Sequence, residues 1–344
     1  MLEQATLEQL EQWMAAHHLG GHWQIDPEVL YAPAPVTTVQ PHVWPWSEVW
    51  EAVQGAGALV HLDVAERRSV RLLNPGLQGR RFTAHTMQLS VQIVKPGEVA
   101  RAHRHTPAAY RFVVQGSGAY TTVEGQQCRM EAGDLILTPA WTWHNHANDG
   151  DEPMVWLDGL DHPLITLLQL NMFESYAADV QPIERSSDDV AALYGAARPP
   201  LADGQARPGY YHYRWRDTYP ALRALAARGD AASPFDGTLL EYTDPLTGGP
   251  TLPTMAHALQ WLRPGEATRA HRHLSTTIYH VVRGRGRSRI GDAEYAWEQG
   301  DSFVVPVWYP HAHANLSADT EAILFSVTDA PVARAFRLYR EEPV

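Results

Sequence analysis

The sequence predicts an all-β protein built from two jelly-roll barrels in tandem, with a helical arm before them and a partly helical connector between them. Two observations carry this prediction. Short stretches of alternating apolar and polar residues, separated by glycine-containing turns, recur in two blocks, which is the pattern of antiparallel barrels. Closely spaced histidine pairs recur at matching places in both blocks, which indicates a duplicated unit.

Four histidine pairs with one intervening residue fall into two sets. The pairs are His103 with His105, His144 with His146, His271 with His273, and His311 with His313. The first and third pairs lie 168 positions apart, and the second and fourth lie 167 apart. With 18 histidines in 344 residues, chance would give about one such pair. The repeat therefore indicates a duplicated scaffold for a metal site.

The segment before the first barrel, residues 1–60, is predicted to form a helix and an arm. Thr6 and Gln9 match a capping box at the start of an amphipathic stretch over residues 6–19. Proline and tryptophan then dominate residues 27–50. Such a segment suits an arm lying over a domain or a neighbouring subunit. An irregular loop that closes the end of a barrel fits equally well.

The two barrels are predicted over residues 61–165 and 236–344, joined by a connector over residues 166–235. We expect strands at residues 87–94, 110–114, 119–123, 134–138 and 153–157, and again at 255–262, 278–282, 288–290, 302–305 and 322–327. Helical stretches of the connector are expected at residues 164–173, 188–194 and 221–228.

Composition and charge exclude several classes of protein. The chain has 27 basic and 39 acidic residues, and its net charge of −12 disfavours nucleic acid and anionic membrane surfaces as partners. A single cysteine, Cys128, excludes an intramolecular disulfide framework. No apolar run is long enough to cross a membrane, and the N-terminus does not resemble a signal peptide. We therefore expect a soluble, cytoplasmic protein.

The agreement between the two halves extends to glycine, proline, tryptophan and asparagine. The first half reads Gly97-x5-His103-x-His105, then Gly133-x5-Pro139-x-Trp141-x2-His144-x3-Asn148. The second half reads Gly265-x5-His271-x-His273, then Gly300-x5-Pro306-x-Trp308-x2-His311-x3-Asn315. This pattern resembles the two-motif signature of the cupin superfamily, present twice, so the chain looks like a bicupin.

The histidines of the first half suit one metal ion. Successive side chains of a strand alternate in direction, so His103 and His105 share the barrel-facing side while Arg104 faces out. His144 arrives from a distant strand after a Pro-x-Trp turn and completes a set of three imidazoles. The second half offers an equivalent set, whose occupancy by metal stays open: His271, His273 and His311.

Neither half has the glutamate that many cupins carry four or five residues after the second histidine. The residues at those positions are Ala109 and Tyr110, and Thr277 and Ile278. Three neutral imidazoles leave Fe(II) or a similar ion with its full charge and three adjacent open positions. A chelating dianion such as a catechol or a 2-hydroxybenzoate would neutralise that charge and leave one position for O2.

The two halves differ where a substrate would bind. Arg111, six residues after His105, aligns with Tyr279. An arginine directed into the barrel beside a metal offers a two-pronged donor to a carboxylate. The first site is therefore predicted to bind substrate and the second to be structural or vestigial, although Arg111 also fits an ordinary buried ion pair.

A narrower resemblance rests on several stretches of the first half. They are Asn74-Pro75-Gly76-Leu77, Pro96-Gly97-Glu98, Ala102-His103-Arg104-His105-Thr106, Arg111-Phe112-Val113-Val114 and Thr138-Pro139-Ala140-Trp141-Thr142-Trp143-His144-Asn145-His146. Together they resemble the gentisate 1,2-dioxygenase family and its salicylate and 1-hydroxy-2-naphthoate relatives. The resemblance implies an enzyme with Fe(II) as its cofactor that opens the ring of a small aromatic carboxylate with O2, between the carbons bearing the carboxylate and the hydroxyl. It also implies a homotetramer or similar assembly.

The same resemblance implies roles for particular residues. His103, His105 and His144 would be the iron ligands, and Arg111 and His146 would be catalytic residues that also hold the substrate. The remaining expected pocket residues are Gln92, Gln88 and Ser90, with Arg68 or Arg71 as a second partner of the carboxylate.

The sequence leaves alternatives open for both the substrate and the class of function. Asn145, Gln88 and Ser90 stand where the gentisate enzymes are expected to have other side chains. Gentisate is therefore the first choice, with salicylate, a 5-amino- or 5-nitrosalicylate, and 1-hydroxy-2-naphthoate as alternatives. Two other classes also stay open. A cupin isomerase would usually keep the glutamate ligand, and a non-catalytic metal-binding bicupin would tolerate loss of the histidines, which this chain keeps.

Overall fold

The computed structural model describes residues 5–61, 65, 67–195, 200, 207–229 and 232–344. The N-terminal residues up to Thr38 form a compact unit of their own, with α1 (Leu7–Ala16), a single 3-10 turn and α2 (Pro27–Leu30). The predicted capping box of α1 is confirmed, because the Gln9 amide donates to Thr6 Oγ1 at 3.3 Å and the Thr6 amide donates to Gln9 Oε1 at 2.9 Å. The helix ends earlier than predicted, since His18 takes a left-handed φ of 58°.

The second compact unit runs from Val39 to Val344 and contains both barrels. Its helices are α3 (Trp46–Leu59), α4 (His162–Leu167), α5 (Ser187–Ala192), α6 (Trp215–Arg228) and α7 (Ala330–Ala335). The strands up to the connector are β1 (His42–Trp44), β2 (Ser69–Arg71), β3 (Gln88–Val94), β4 (Val99–His105), β5 (Ala109–Gln115), β6 (Ser117–Val123), β7 (Gln126–Glu131), β8 (Leu135–Thr138), β9 (His144–Asn148) and β10 (Met154–Leu160).

The connector and the second barrel supply the other strands. They are β11 (Phe173–Ser175), β12 (Arg185–Ser186), β13 (His212–Tyr213), β14 (Ala232–Ser233), β15 (Gly237–Tyr242), β16 (Ala256–Leu262), β17 (His271–His273), β18 (Thr277–Arg283), β19 (Arg285–Ile290), β20 (Ala293–Glu298), β21 (Ser302–Val305), β22 (His311–Asn315), β23 (Ala322–Thr328) and β24 (Glu341–Pro343). None of the described helices is long and apolar enough to span a membrane.

Four sheets form the two barrels. The first barrel has the orders β13-β8-β5-β10-β3-β2 and β11-β4-β9-β6-β7-β12, and the second has β1-β21-β18-β23-β16-β15-β14 and β20-β19-β22-β17-β24. The order β8-β5-β10-β3 in one barrel repeats as β21-β18-β23-β16 in the other. The prediction of two all-β barrels in tandem is thereby confirmed, and the repeat in the sequence is a repeat of strand topology.

The arm and the connector are bound into the barrels. Strand β1 of the arm pairs with β21 of the second barrel, while α3, through Val49 and Val53, contacts β2 and β3 of the first. Strand β13 of the connector pairs with β8 of the first barrel. The part of the predicted arm that forms β1 and α3 therefore contacts both barrels.

One predicted helix of the connector is shorter than expected. Residues 164–173 were expected to be helical, but α4 ends at Leu167 and Gln169 takes a left-handed φ of 58°. The chain then continues as β11, which pairs with β4 so that Phe173 lies opposite His105. The connector thus borders the strand that carries the first two histidines.

The largest hydrophobic core lies where one sheet of each barrel meets the other. Phe112 on β5 and Phe325 on β23 stack there, with ring centroids 4.1 Å apart. Two reciprocal hydrogen bonds join the same sheets, from Thr86 Oγ1 to Asp329 at 2.5 Å and from Thr254 Oγ1 to Asp161 at 2.6 Å. Because the partners are equivalent positions of the repeat, the barrels pack through a pseudo-two-fold arrangement.

Alternation along the strands gives the first barrel a polar interior near the histidines. On β3, Leu89 and Val91 belong to the core between the barrels, whereas Ser90 and Gln92 point to the opposite face. On β10 the register places Asp158 opposite both Ser90 and Arg111. Buried polar side chains from three neighbouring strands therefore share the inner face of one sheet.

Candidate metal centre and active site

The structure brings together the three histidines predicted to form the first metal site. His103 on β4 and His144 on β9 are directly paired across the two strands. The ring centroids of His103 and His144 are 4.4 Å apart, and those of His105 and His144 are 4.8 Å apart. One nitrogen of each ring lies within 4.8 Å of the others. The spacing suits three ligands of one ion.

The turn before β9 delivers His144 to this place. Trp141 in the Pro-x-Trp turn has a left-handed φ of 62°, which is strained for a bulky residue. The guanidinium of Arg104 stacks over the rings of Trp141 and Trp143, at 4.5 and 4.4 Å from their centroids. As predicted, Arg104 points away from the histidines, and its cation–π contacts stabilise the turn.

Hydrogen bonds fix the protonation of the three rings. Each Nδ1 lies beside a backbone carbonyl, which only accepts, so each Nδ1 carries the proton and each Nε2 presents a lone pair. The pairs are His103 with Arg101 at 2.7 Å, His105 with Pro107 at 2.7 Å, and His144 with Thr142 at 2.9 Å. Within the described part of the chain, Nε2 of His105 and of His144 is buried without a hydrogen-bond partner. Such an arrangement fits a metal ion bound by three neutral imidazoles.

The electrostatics of the site keep these rings neutral. Burial, followed by the charge of Arg67, lowers the pKa of His103 to about 3 and that of His105 to about 4. Burial, followed by the charge of Arg111, holds the pKa of His144 well below its usual value. At neutral pH all three rings therefore keep their lone pairs.

Arg111 lies fully buried on β5, on the inner face of the sheet. Its Nη1 donates to Thr138 Oγ1 at 2.8 Å, and its Nη2 lies 3.4 Å from Asp158 Oδ1. The geometry of this second contact is not that of a hydrogen bond, so Nε and Nη2 have no acceptor among the described residues. Unpaired buried donors on a charged group are costly, and an anionic ligand would satisfy them. Burial lowers the pKa of Arg111 to about 10, so it stays charged at neutral pH.

His146 follows two residues after His144 and is fully buried. Its Nδ1 lies 2.8 Å from Thr121 Oγ1, and its ring centroid lies 5.9 Å from that of His144. Its Nε2 has no partner in the residues that the structure describes. The Thr121 hydroxyl either donates to Nδ1 or accepts from it, so Nε2 is able to give or take a proton.

The expected pocket residues of β3 differ in burial and in the hydrogen bonds that their side chains already form. Gln92 is buried, and its Oε1 has no donor in the described ranges. Ser90 donates from Oγ to the Asp158 carbonyl at 3.1 Å, and Gln88 is half-buried. Gln92 therefore has a buried acceptor free to bind a donor on a ligand.

Comparison with known proteins agrees with this site. A cupin-domain family matches residues 90–159 and 258–328. The chain is 41% identical to the 5-aminosalicylate 1,2-dioxygenase of Comamonas sp., over 98% of this chain and 91% of that protein. It is 37% identical to gentisate 1,2-dioxygenase 1 of Aquipseudomonas alcaligenes, over 95% and 94%. The chain belongs to this family of ring-cleaving 1,2-dioxygenases. The solved salicylate 1,2-dioxygenase of Pseudaminobacter salicylatoxidans matches it with a TM-score of 0.89 at 32% identity, over 99% of both chains.

For this dioxygenase, the structure adds a candidate for the second arginine. Arg68 forms an ion pair with Glu98 and donates to the Gly57 carbonyl at 3.1 Å, although its buried Nε has no acceptor among the described residues. Arg71 is exposed. Nη2 of Arg67 contacts Nε2 of His103. Arg67 was not among the residues expected from the sequence, and its contact with His103 makes it a further candidate for the second carboxylate partner beside Arg68 and Arg71.

Two further differences concern residues whose place the sequence did not reveal. Asp158, which was not singled out, is the carboxylate beside Arg111, and its signal was a lone acidic residue in an otherwise apolar strand. Asn145 points away from the metal cluster, because its Oδ1 accepts from the Gln181 amide at 3.0 Å. The expected difference from the gentisate enzymes at Asn145 therefore gives no information about the substituents on the substrate ring.

The structure also brings together the three histidines of the second barrel. His271 and His311 are paired across β17 and β22, with ring centroids 4.4 Å apart. The centroids of His273 and His311 are 4.9 Å apart. Tyr279 stands at the place of Arg111, packed edge-on against His313 at 4.9 Å. The geometry of the histidines is thus repeated without the buried arginine.

Proposed function

We propose that this dioxygenase uses Fe(II), held by His103, His105 and His144, to open the bond between carbons 1 and 2 of a 2-hydroxybenzoate, with gentisate as the substrate. The observation that carries the proposal is the convergence of buried imidazole lone pairs beside Arg111, whose donors lack acceptors. Fe(II) at this site would supply the electron-donating centre at which O2 and an aromatic ring react.

The charges of the site favour a doubly negative substrate. The three imidazoles are neutral, and among the described residues the guanidinium groups of Arg67 and Arg111 border them, with the carboxylate of Asp158 3.4 Å from Arg111. An added divalent ion makes the site strongly positive. The carboxylate and phenolate of a 2-hydroxybenzoate would balance that charge and form a chelate. Because Arg67 contacts the nitrogen that a metal would take, it would have to swing away and could then pair with the substrate carboxylate.

The other polar groups would orient the ring and move protons. Arg111 would hold the carboxylate through its unpaired Nε and Nη2, since two parallel donors match the two carboxylate oxygens. His146 Nε2 would accept the proton of the phenol as the substrate binds. Gln92 Oε1 needs a donor, which a ring hydroxyl or amine provides and a nitro group does not.

A specific observation favours 5-aminosalicylate as the second candidate substrate. The relative that acts on it is 41% identical to this chain, against 37% for the Aquipseudomonas gentisate enzyme. The salicylate 1,2-dioxygenase of Pseudaminobacter salicylatoxidans has also been solved with gentisate, at 30% identity and a TM-score of 0.88. These neighbours support a site that accepts ring position 5 with or without a polar substituent. The cytoplasmic location and the homotetramer stay predictions.

The decisive test is a substrate panel with Fe(II)-reconstituted enzyme. O2 uptake and ring-opening absorbance would be measured with gentisate, 5-aminosalicylate, salicylate, 5-nitrosalicylate, 1-hydroxy-2-naphthoate and catechol. We expect the highest kcat/KM with gentisate or 5-aminosalicylate and poor turnover of catechol, which lacks the carboxylate for Arg111. Cleavage of catechol alone would contradict the role of the carboxylate. Activity that survives complete iron removal would contradict the role of iron.

A further inference from the structure

We infer that the second barrel holds a divalent transition-metal cation of its own, bound by His271, His273 and His311 with the carboxylate of Asp236 as a nearby oxygen ligand. This inference concerns a site separate from the proposed catalytic one. It goes beyond the proposed function, because it assigns a metal and a charge-compensating carboxylate to a barrel that the ring-cleavage chemistry does not use.

The first observation is the protonation of the three rings. As in the first barrel, Nδ1 of His271 and of His311 lies beside a group that only accepts, so Nε2 of each neutral ring presents its lone pair, while Nδ1 of His273 also has the Ser275 hydroxyl at 2.8 Å. The acceptors are Glu341 Oε1 for His271, the Ser275 carbonyl for His273 and the Tyr309 carbonyl for His311, each at 3.0 Å. Nε2 of His271 and of His311 is buried, and no described residue forms a hydrogen bond with either atom. The ligand nitrogens lie within 4.8 Å of one another.

The second observation is the position of Asp236. Its Oδ1 lies 3.8 Å from Nε2 of His271. Bonds from a transition metal to imidazole nitrogen or carboxylate oxygen are about 2 Å long, so one cation between the two atoms can touch both.

The third observation is a difference in charge beside the two equivalent histidines. Arg67, before β2, contacts Nε2 of His103, whereas Asp236, before β15, is near Nε2 of His271. An aromatic ring also stacks on each histidine, Phe173 of β11 on His103 at 5.2 Å and Phe235 on His271 at 5.3 Å. The first histidine thus has beside it a cation that attracts an anionic ligand, and the second has an anion that attracts a metal cation.

The surroundings allow a metal to enter and to be charge-balanced. A cavity of about 540 Å³ adjoins His271 and His273, with Asp236 and Glu341 in its wall. The two carboxylates together match the charge of a divalent ion, so this site needs no anionic ligand from solution. Mixed imidazole and carboxylate donors suit Mn(II), Fe(II), Co(II) or Zn(II).

Metal stoichiometry of the full-length chain tests the inference without any activity assay. The protein would be stripped with a chelator and titrated with Co(II) without oxygen, with bound metal counted by elemental analysis. We expect two ions per chain in the wild type, one in His105→Ala, one in His311→Ala, and none in the double variant. A His311→Ala chain that still binds two ions, or a wild type that binds one and a His105→Ala chain that binds none, would overturn the second site.

The role of Asp236 needs its own variant. Asp236→Asn keeps the size of the side chain, and we expect it to weaken Co(II) binding at the second site by about tenfold or more, as loss of supporting groups commonly does at metal centres. The matched control is Glu342→Gln, because Glu342 pairs with Arg272 on the outer side of β17. Unchanged affinity in Asp236→Asn would refute the carboxylate ligand. Because Asp236→Asn keeps the shape of the side chain, it still tests metal binding at the second site if His311→Ala does not fold.

Discussion

The two barrels share strand order and a histidine triad, yet they differ at three positions around it. Arg111 and Asp158 of the first barrel correspond to Tyr279 and Ser326 of the second, and Nε2 of the equivalent histidines His103 and His271 lies near Arg67 in one barrel and near Asp236 in the other. The backbone and the imidazoles thus provide a metal scaffold that both barrels keep. If both proposals hold, the charges around the scaffold decide what its metal binds, and a few substitutions separate a substrate site from a site that holds only a cation.

Replacing a metal-ligand histidine should have the largest effect, and it should differ between the two barrels. His105→Ala should abolish ring cleavage and remove iron from the first barrel, because two imidazoles retain the ion poorly. His273→Ala, the equivalent change in the second barrel, should leave turnover largely intact. The measurement is kcat/KM for gentisate beside the iron content of each variant. Equal losses from the two variants would show that the barrels share the chemistry.

The next largest effect concerns the buried arginine. Arg111→Lys keeps the charge but loses the planar pair of donors, so we expect a loss of about 2 kcal/mol, roughly a thirtyfold fall in kcat/KM. Tyr279→Phe in the second barrel should leave kcat/KM unchanged. Wild-type efficiency in Arg111→Lys would show that the substrate carboxylate is held elsewhere.

A smaller effect separates two adjacent arginines of the first barrel. Arg67→Gln should raise KM for 2-hydroxybenzoates by about tenfold, on the scale of one charged hydrogen bond, with little change in thermal stability. Arg68→Gln should instead lower Tm, because Arg68 is buried against Glu98 and the Gly57 carbonyl, and leave KM nearly unchanged. The reverse assignment of the two effects would favour Arg68 as the substrate contact.

The smallest effect should be the same in both barrels. Burial raises the pKa of Asp161 and of Asp329 to about 6, and Thr254 and Thr86 each donate to one of these carboxylates. A raised pKa in the folded state means that the carboxylate destabilises the fold as pH rises from about 4, with the full cost present above about 6. Thr86→Val and Thr254→Val should each cost about 1 kcal/mol near pH 7.5 and less near pH 5, as calorimetric unfolding at the two pH values would show. A loss confined to one variant would contradict the pseudo-two-fold packing.

Sequence reasoning succeeded where spacing alone determines geometry. The histidine triads follow from alternation on one strand plus a fixed turn, so His103, His105 and His144 could be predicted to meet. The recurring glycine-bounded stretches likewise predicted five strands of each barrel, whereas β7, β9, β15, β20 and β22 lay outside the expected ranges. Arg67 could not be placed, because a side chain in the loop before β2 has no period that fixes its direction.

Strand register explains most of the other features that the sequence did not predict. Asn145 stands between two inward histidines, so alternation alone already turns it outward, and its contact with Gln181 agrees. Asp158 could have been found from its isolation in an apolar strand, but its partner Arg111 depends on which residues of β5 and β10 face each other. The early end of α4 depends on a single left-handed residue, Gln169, which no sequence pattern marked.

The arm has a consequence for how the duplicated gene could change. Because β1 covers an edge of the second barrel while α3 packs on the first, neither barrel can be deleted without exposing a sheet edge or an apolar face of the other. Loss of the second barrel would therefore cost stability even if its metal site took no part in turnover. Substitutions near its histidines, such as Asp236, would then change what the barrel binds without removing its support of the first barrel.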